Sequence, residues 1–223
     1  MPTAIIAGAT GLTGQATLKQ LIKSQHYTRI ISLERRASTS VSSDYEVQVV
    51  DFDHLSALPA LPNIDDAYCC LGTTINKSGS KAAFRKIDFD AVIHFATRAH
   101  EAGAKQFLVV SALGANAASP IFYNRVKAEM ENALTTLGFD AVHIFQPALL
   151  LGERTESRLI EGLSIIAFKV ITPLLLGRVR KYRPIHVDVI AKAMLKAATS
   201  SVHGVRRYES DEIQDMGSTN PLT

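Results

Sequence analysis

Cysteine is almost absent from this chain of 223 residues: the two present, Cys69 and Cys70, are adjacent, and immediate neighbours cannot easily meet the geometry of a disulfide with each other. A disulfide scaffold is excluded, and a reducing compartment fits. Long hydrophobic runs are also missing. The most apolar stretch, Leu163 to Gly177, is interrupted by Lys169 and Pro173 and falls short of the ~20 residues that span a bilayer, so it reads as a buried or interfacial helix. Met1-Pro2 leads directly into a strand-like segment with no charged region ahead of an apolar one, so no secretory signal is expected. Together these absences give the expectation of a cytoplasmic protein without a membrane span.

Charge of one sign is equally lacking. A formal net charge of +3 is too small and too spread out to make nucleic acid the default partner. The basic cluster of Arg178, Arg180, Lys181 and Arg183 reads as a solvated turn. Seven histidines are scattered, with no pair at a metal-ligand spacing beside a third candidate, so no metal site is expected. His94 and His100 belong to a helix face, and His186 reads as a hydrogen-bonded structural residue.

What the chain does have is alternation. Apolar, β-branched runs at Thr3–Ala7, Arg29–Leu33, Glu46–Asp51, Ala67–Leu71, Gln106–Ser111 and Ala141–Gln146 alternate with segments of helical period at Leu12–Ser24, Lys81–Ala102 and Tyr123–Leu137. That is the pattern of βαβ units and a parallel sheet. The expected fold is α/β, a doubly wound Rossmann fold with a mainly parallel sheet and a small C-terminal substrate-side appendage. No internal repeat or change in composition divides the chain, so residues 1–209 are read as one domain, with substrate-side elements mainly in 149–186. Ser38 to Ser43 reads as a surface loop and 210–223 as a flexible tail.

The first strand runs into Gly8-Ala9-Thr10-Gly11-Leu12-Thr13-Gly14, which opens an amphipathic helix. Three glycines so spaced permit a tight turn, close approach of backbone to a pyrophosphate, and packing of helix on strand, while the helix N-terminus offers N–H groups and positive dipole. Gly8, Thr10, Gly11, Leu12, Thr13 and Gly14 are therefore candidates for dinucleotide binding. Glu34-Arg35-Arg36 follow the second strand, where an acid bonds a ribose 2′-hydroxyl and an arginine accommodates a 2′-phosphate. Arg35 and Arg36 together suit a phosphate dianion, which favours NADP, with NAD left open by Glu34. Asp51 and Phe52 end the third strand, either to contact an adenine or as a plain turn. Gly72-Thr73-Thr74 follow the fourth strand at the carboxyl edge where such sheets bind ligands, so Leu71 at the strand's end, Gly72 and Thr73 are cofactor-binding candidates.

Tyr123 and Lys127 stand four apart on a helix, so both project from one face, and Ser111 ends the fifth strand. A phenol beside an ammonium and a positive nicotinamide is shifted toward phenolate. It can exchange a proton with a carbonyl or alcohol oxygen while hydride moves to or from a cofactor, with Ser111 holding that oxygen. Arg154 and Arg158 are candidates either for a substrate clamp or for salt bridges with Glu153, Glu156 or Glu161.

These residues carry a family resemblance over nearly the whole chain. The glycine turn, Ser111 and Tyr123-x-x-x-Lys127 resemble the short-chain dehydrogenase/reductase superfamily in its atypical or extended branch. Cys70-Leu71-Gly72-Thr73-Thr74, Phe84-Arg85-Lys86-Ile87-Asp88 and Glu156-Ser157-Arg158 are similar to its Tat-interacting oxidoreductase-like group. The resemblance implies a Rossmann core, NADP binding, and reductase chemistry with Ser111, Tyr123 and Lys127 as the triad. It also implies that Lys127 meets the cofactor and that Pro147 borders the nicotinamide. Gln146 stands where the group has arginine, and Glu34 where it has a small residue. The chain is short for the large substrate domain of extended members, which favours a small carbonyl or alcohol substrate over a nucleotide sugar. The rival reading is a non-catalytic dinucleotide-binding regulator or scaffold that senses redox state. A homo-oligomer or a protein partner is left open.

Overall fold

The computed structural model describes residues 2–36, 43–55, 61–152, 175 and 177–218. Six runs dense in β-branched and other apolar residues form parallel strands: β1 (Thr3–Ala7), β2 (Arg29–Glu34), β3 (Glu46–Val49), β4 (Asp66–Cys69), β5 (Gln106–Val110) and β6 (Ala141–Gln146). A short strand, β7 (Leu150–Leu151), pairs with β8 (Ile185–His186), and β9 (Gly204–Glu209) joins the main sheet beside β6. The main sheet is wholly parallel, in the order β3-β2-β1-β4-β5-β6-β9. The chain runs outward from β1 through β2 to β3, then returns to lay β4 on the other side of β1. That reversal opens a crevice at the carboxyl ends of β1 and β4, where open α/β sheets bind ligands.

Strands covered on both faces read as continuous apolar runs, and the two cores explain that composition. On one face Ile5, Leu33, Ala67, Phe107, Val109 and Ile144 pack with Val92, Phe95 and Ala96 of α4 (Ala91–Glu101) and with Met130 and Leu134 of α5 (Phe122–Leu134). On the other, Ile6, Ile30, Tyr68, Leu108 and Phe145 pack with Leu18 and Leu21 of α1 (Leu12–Ser24) and with Ile190 and Met194 of α6 (Val187–Ala198). A buried polar chain crosses this second face. Tyr27 Oη donates to Asp66 Oδ2 at 2.6 Å and lies 2.7 Å from Tyr68 Oη. Further along, His143 is fully buried, with Nδ1 3.0 Å from Tyr208 Oη and Nε2 3.3 Å from Gln106 Oε1.

Three expectations are corrected. The single helix over 81–102 follows a separate short helix, α2 (Ile75–Ser78), and is itself three pieces, α3 (Lys81–Arg85), a π-helical turn (Lys86–Asp90) and α4, because the wider turn carries Asp88 into the interior. The polar run after residue 209 is not a frayed tail up to Ser218: it forms α7 (Ser210–Ser218), which packs on α6 through the fully buried Ile213 and a glycine, Gly217, that leaves no room for a Cβ against Val189. β3 ends at Val49 and β4 spans Asp66–Cys69, so the loops that follow them begin earlier than expected. Arg154, Arg158 and the Leu163–Leu174 part of the apolar stretch lie outside the described residues. In the basic cluster, Lys181 Nζ is 2.9 Å from Glu209 Oε2 and Arg180 pairs with Asp215; these side chains are spoken for. His186 caps α6, its Nδ1 accepting from the Asp188 N–H at 3.3 Å.

Candidate functional site

The β1–α1 turn is shaped by its glycines. Gly8 has φ +86°, and a Cβ there would stand 2.6 Å from the carbonyl carbon of Cys70. A Cβ on Gly14 would stand 1.9 Å from the Gly8 carbonyl oxygen, whereas on Gly11 the nearest atom would be 3.3 Å away. Gly8 and Gly14 are thus demanded by packing of the turn against β4 and α1. Gly11 instead is exposed and caps α1 with no side-chain hydrogen bond, so N–H groups of the first helical turn face outward with a favourable dipole for an anion. A bare, glycine-lined helix terminus at the switch point is a cradle that fits the pyrophosphate of a dinucleotide.

One cleft of about 510 Å³ joins this turn to the other candidate residues. Thr10, Gly11, Leu12 and Thr13 line it from β1–α1, Leu71, Gly72 and Thr73 from the β4 loop, Ser111 from the end of β5, and Tyr123 and Lys127 from α5. Arg35 and Arg36 are exposed beyond the end of β2 and do not line it, nor do Asp51, Phe52 and Pro147. Glu34 is buried, its Oε1 accepting from Ser32 Oγ at 2.9 Å, and it lines a second cleft beside the glycine turn with Ala9, Thr10, Gln15 and Tyr45, whereas the two guanidiniums are exposed past the strand end. Asp51 serves its own turn: it accepts from the Asp53 N–H at 2.9 Å and lies 2.9 Å from His54 Nδ1. Those two contacts, the His54 one first, hold its carboxyl below the ordinary aspartate range. Pro147 is buried and takes the Leu113 N–H at 2.9 Å through its carbonyl.

Two carboxylates that spacing alone does not single out organise the rest. Asp88, fully buried on the π-helical turn, places Oδ1 2.7 Å from Lys127 Nζ and accepts the Thr73 N–H on Oδ2 at 2.9 Å. It therefore ties the β4 loop to α5. Burial disfavours the Lys127 ammonium, but Asp88, Tyr123 and Cys69 outweigh it and raise its pKa above the ordinary lysine value. A Cβ at Gly72 would fall 3.4 Å from Asp88 Oδ1 and 3.7 Å from Lys127 Nζ, ordinary contact distances, so the glycine adjoins this ion pair without being demanded by it. Glu131, 3% exposed, accepts from Ser111 Oγ at 2.6 Å, from Gln146 Nε2 at 2.9 Å and from Arg207 Nε at 2.9 Å. The signal for both was present as acids set within apolar periodicity: Asp88 between Phe84 and Ala91, and Glu131 at four and eight residues past Lys127 and Tyr123 on the same face of α5.

Tyr123 is half-buried, and its ring lies 5.3 Å from that of the fully buried Phe84. No described residue hydrogen-bonds its phenol. Cys70 also lines the cleft, with Sγ 3.6 Å from Thr17 Oγ1, and burial pushes its thiol up to about 12, which makes it a poor nucleophile.

A family described as NAD(P)H-binding matches residues 8–165. The chain belongs to the NAD(P)H-binding family. Its relatives include Protein HTATIP2 of Rattus norvegicus, 36% identical over 157 residues that cover 69% of this chain and 64% of the rat protein. The match therefore spans less than two thirds of that relative. Protein FMP52, mitochondrial, of Lodderomyces elongisporus is 37% identical over 165 residues, 69% of each chain, and Protein fmp52, mitochondrial, of Emericella nidulans is 31% identical over 217 residues, 92% of this chain and 90% of that one. The fold is shared with MoeE5 in complex with UDP-glucose and NAD, at TM-score 0.67 and 14% identity over 97% of this chain and 81% of that one. It is shared too with human epimerase family protein SDR39U1 with NADPH, at TM-score 0.63 and 18% identity over 93% and 74%. The chain thus has the Rossmann fold of those NAD- and NADPH-bound structures.

The cytoplasmic location expected from composition is overturned by these relatives, since the fungal ones, from Lodderomyces elongisporus, Candida albicans, Emericella nidulans and Scheffersomyces stipitis, are named mitochondrial. Scarce cysteine and the lack of a secretory pattern do not separate one reducing compartment from another. Among the described residues no helix is long and apolar enough to cross a membrane.

Proposed function

We propose that the protein is an NADP-preferring oxidoreductase of a small carbonyl or alcohol substrate, acting in mitochondria, with Tyr123 as proton donor. The observation that carries this reading is the convergence of the Gly11 helix terminus, the Leu71–Thr73 loop, Ser111, Tyr123 and Lys127 on a single cleft. The exposed Arg35-Arg36 pair just past β2 supports preference for a 2′-phosphate.

In this reading Thr10, Gly11, Leu12 and Thr13 hold the pyrophosphate on a turn shaped by Gly8 and Gly14, with Asp51 and Phe52 at the adenine end, Leu71, Gly72 and Thr73 toward the nicotinamide, and Pro147 behind that end of the cleft. When bound, the cofactor supplies or accepts a hydride. Lys127, held by Asp88 at 2.7 Å, presents an ammonium beside the Tyr123 phenol. That positive charge favours the phenolate left when the Tyr123 hydroxyl gives its proton to the carbonyl oxygen, so the proton transfer is eased in both directions. Ser111 fixes the substrate beside that phenol. Residues 1–218 act as one domain.

Titrating the purified protein calorimetrically with NADPH and with NADH tests the cofactor. Tight NADPH and weak NADH binding is the expected outcome. If neither binds, the glycine turn is purely structural and the reading falls. If NADPH binds but no carbonyl compound is turned over in a Tyr123-dependent way, the protein is a dinucleotide sensor instead.

A further inference from the structure

We propose that Glu131 is a positioning residue that turns the Ser111 hydroxyl proton away from the cleft. Ser111 then meets a substrate as a hydrogen-bond acceptor and selects carbonyl compounds that carry a hydroxyl next to the reacting carbon. The substrate part of the inference rests on the oxidoreductase reading above; the orientation of Ser111 does not.

The orientation follows from counting donors. Arg207 has no acceptor, and its Nε lies 2.9 Å from Glu131 Oε2. Gln146 Nε2 lies 2.9 Å from Oε1 and 3.1 Å from Oε2; with its amide reversed, an oxygen would face both carboxylate oxygens. Glu131 is thus surrounded by obligatory donors and receives protons without giving one. The proton in its 2.6 Å contact with Ser111 Oγ must be the serine's own, and this distance belongs to charge-assisted O–H···O⁻ bonds, about twice as strong as neutral ones. A serine hydroxyl has one proton and two lone pairs. With that proton held inward, lone pairs remain for the cleft, which Ser111 lines at 5% exposure.

A bare ketone oxygen brought beside Ser111 meets those lone pairs and gains no donor from the serine, so its proton must come from elsewhere in the cleft, from Tyr123 in the reading above. A neighbouring hydroxyl supplies what Ser111 lacks. Its proton bonds Ser111 Oγ, orients the carbonyl toward Tyr123, and leaves the reduction itself unchanged: hydride to the carbonyl carbon, the Tyr123 proton to its oxygen, a vicinal diol as product. Glu131→Gln reverses the preference. Arg207 still requires an oxygen, so the new amide presents its nitrogen to Ser111, and the serine proton swings into the cleft.

Two measurements on the full chain test this. In protein labelled with [13C]serine, a slowly exchanging hydroxyl proton correlated with the Ser111 carbons, absent from Ser111→Ala, should appear in the wild type and vanish in Glu131→Gln. No such proton in the wild type, or its persistence in Glu131→Gln, overturns the orientation, and the wild-type spectrum decides even if the variant does not fold. Hydroxyacetone and butanone, nearly the same shape, are then compared as substrates with NADPH. The wild type should favour hydroxyacetone in kcat/KM by about tenfold, the worth of one hydrogen bond, and Glu131→Gln should narrow that ratio through KM. Equal use of the two by the wild type overturns the substrate class. A serine proton seen without turnover of either compound upholds the orientation while removing the oxidoreductase reading and its substrate class; Tyr123-dependent turnover without that proton removes the role of Glu131 alone.

Discussion

Lowering the pH from 7 to 5 should destabilise the protein through His143. The imidazole is fully buried on β6 between Gln106 and Tyr208, and burial lowers its pKa from 6.5 to about 4. Below the ordinary histidine value the unfolded chain takes up a proton that the folded chain refuses, so stability is present above 6.5 and is lost as pH falls toward 4. At about 1.4 kcal/mol per tenfold, the whole effect is about 3 kcal/mol, of which about 2 kcal/mol is gone by pH 5. Asp66, whose carboxyl burial pushes up, acts in the opposite sense, so the bare pH dependence of the wild type does not isolate the histidine. His143→Gln does: the amide can still bond Gln106 and Tyr208 but cannot titrate. Urea unfolding of both proteins at pH 7 and pH 5 should show the wild type losing about 2 kcal/mol more than the variant. Parallel losses would refute the buried neutral imidazole.

Changing Arg35 and Arg36 together to Ala should weaken NADPH binding by about 10- to 100-fold, the worth of one or two charge-assisted hydrogen bonds, with little change for NADH; calorimetry that finds equal losses rejects the phosphate assignment. Tyr123→Phe should bind NADPH as the wild type does while turnover drops about 10²- to 10⁴-fold, and unaltered turnover takes the phenol out of the mechanism. Asp88→Asn strands the buried Lys127 ammonium and should cost about 3–5 kcal/mol in chemical denaturation; a near-neutral result means that water or another group satisfies the lysine.

The sheet was legible because its signals are local. A buried parallel strand must be apolar at every position, so Ile5-Ile6-Ala7 or Phe107-Leu108-Val109 announces itself, and the turn at Gly8 to Gly14 needs glycine for reasons that a Cβ distance of 1.9 Å makes plain. Tyr123 and Lys127, four apart, announce a shared helix face, and both line the cleft. The break in the helix at Lys86–Asp90 was not legible, since a π-helical turn uses the same residue types as the α-helix around it. Nor was α7, whose polar sequence is held by one buried isoleucine, Ile213, and by a glycine against Val189. Helices made stable by tertiary packing leave little trace in propensity.

The two carboxylates are the instructive omission. Asp88 lines the cleft and Glu131 stands behind it, and the chemistry of each depends on partners distant in sequence: Thr73 and Lys127 for the first, Ser111, Gln146 and Arg207 for the second. Gln146 looked like a mere departure from an arginine, yet it donates to the same carboxylate that Arg207 reaches from β9, so the positive charge enters from a different strand. The consequence is a division of labour along α5. Lys127 and Glu131 are each fixed by contacts away from solvent, whereas Tyr123, a turn nearer the helix N-terminus, is half-buried with its phenol bonded to no described residue. In the proposed mechanism Tyr123 is therefore the member of the set whose hydroxyl is left available to a substrate oxygen.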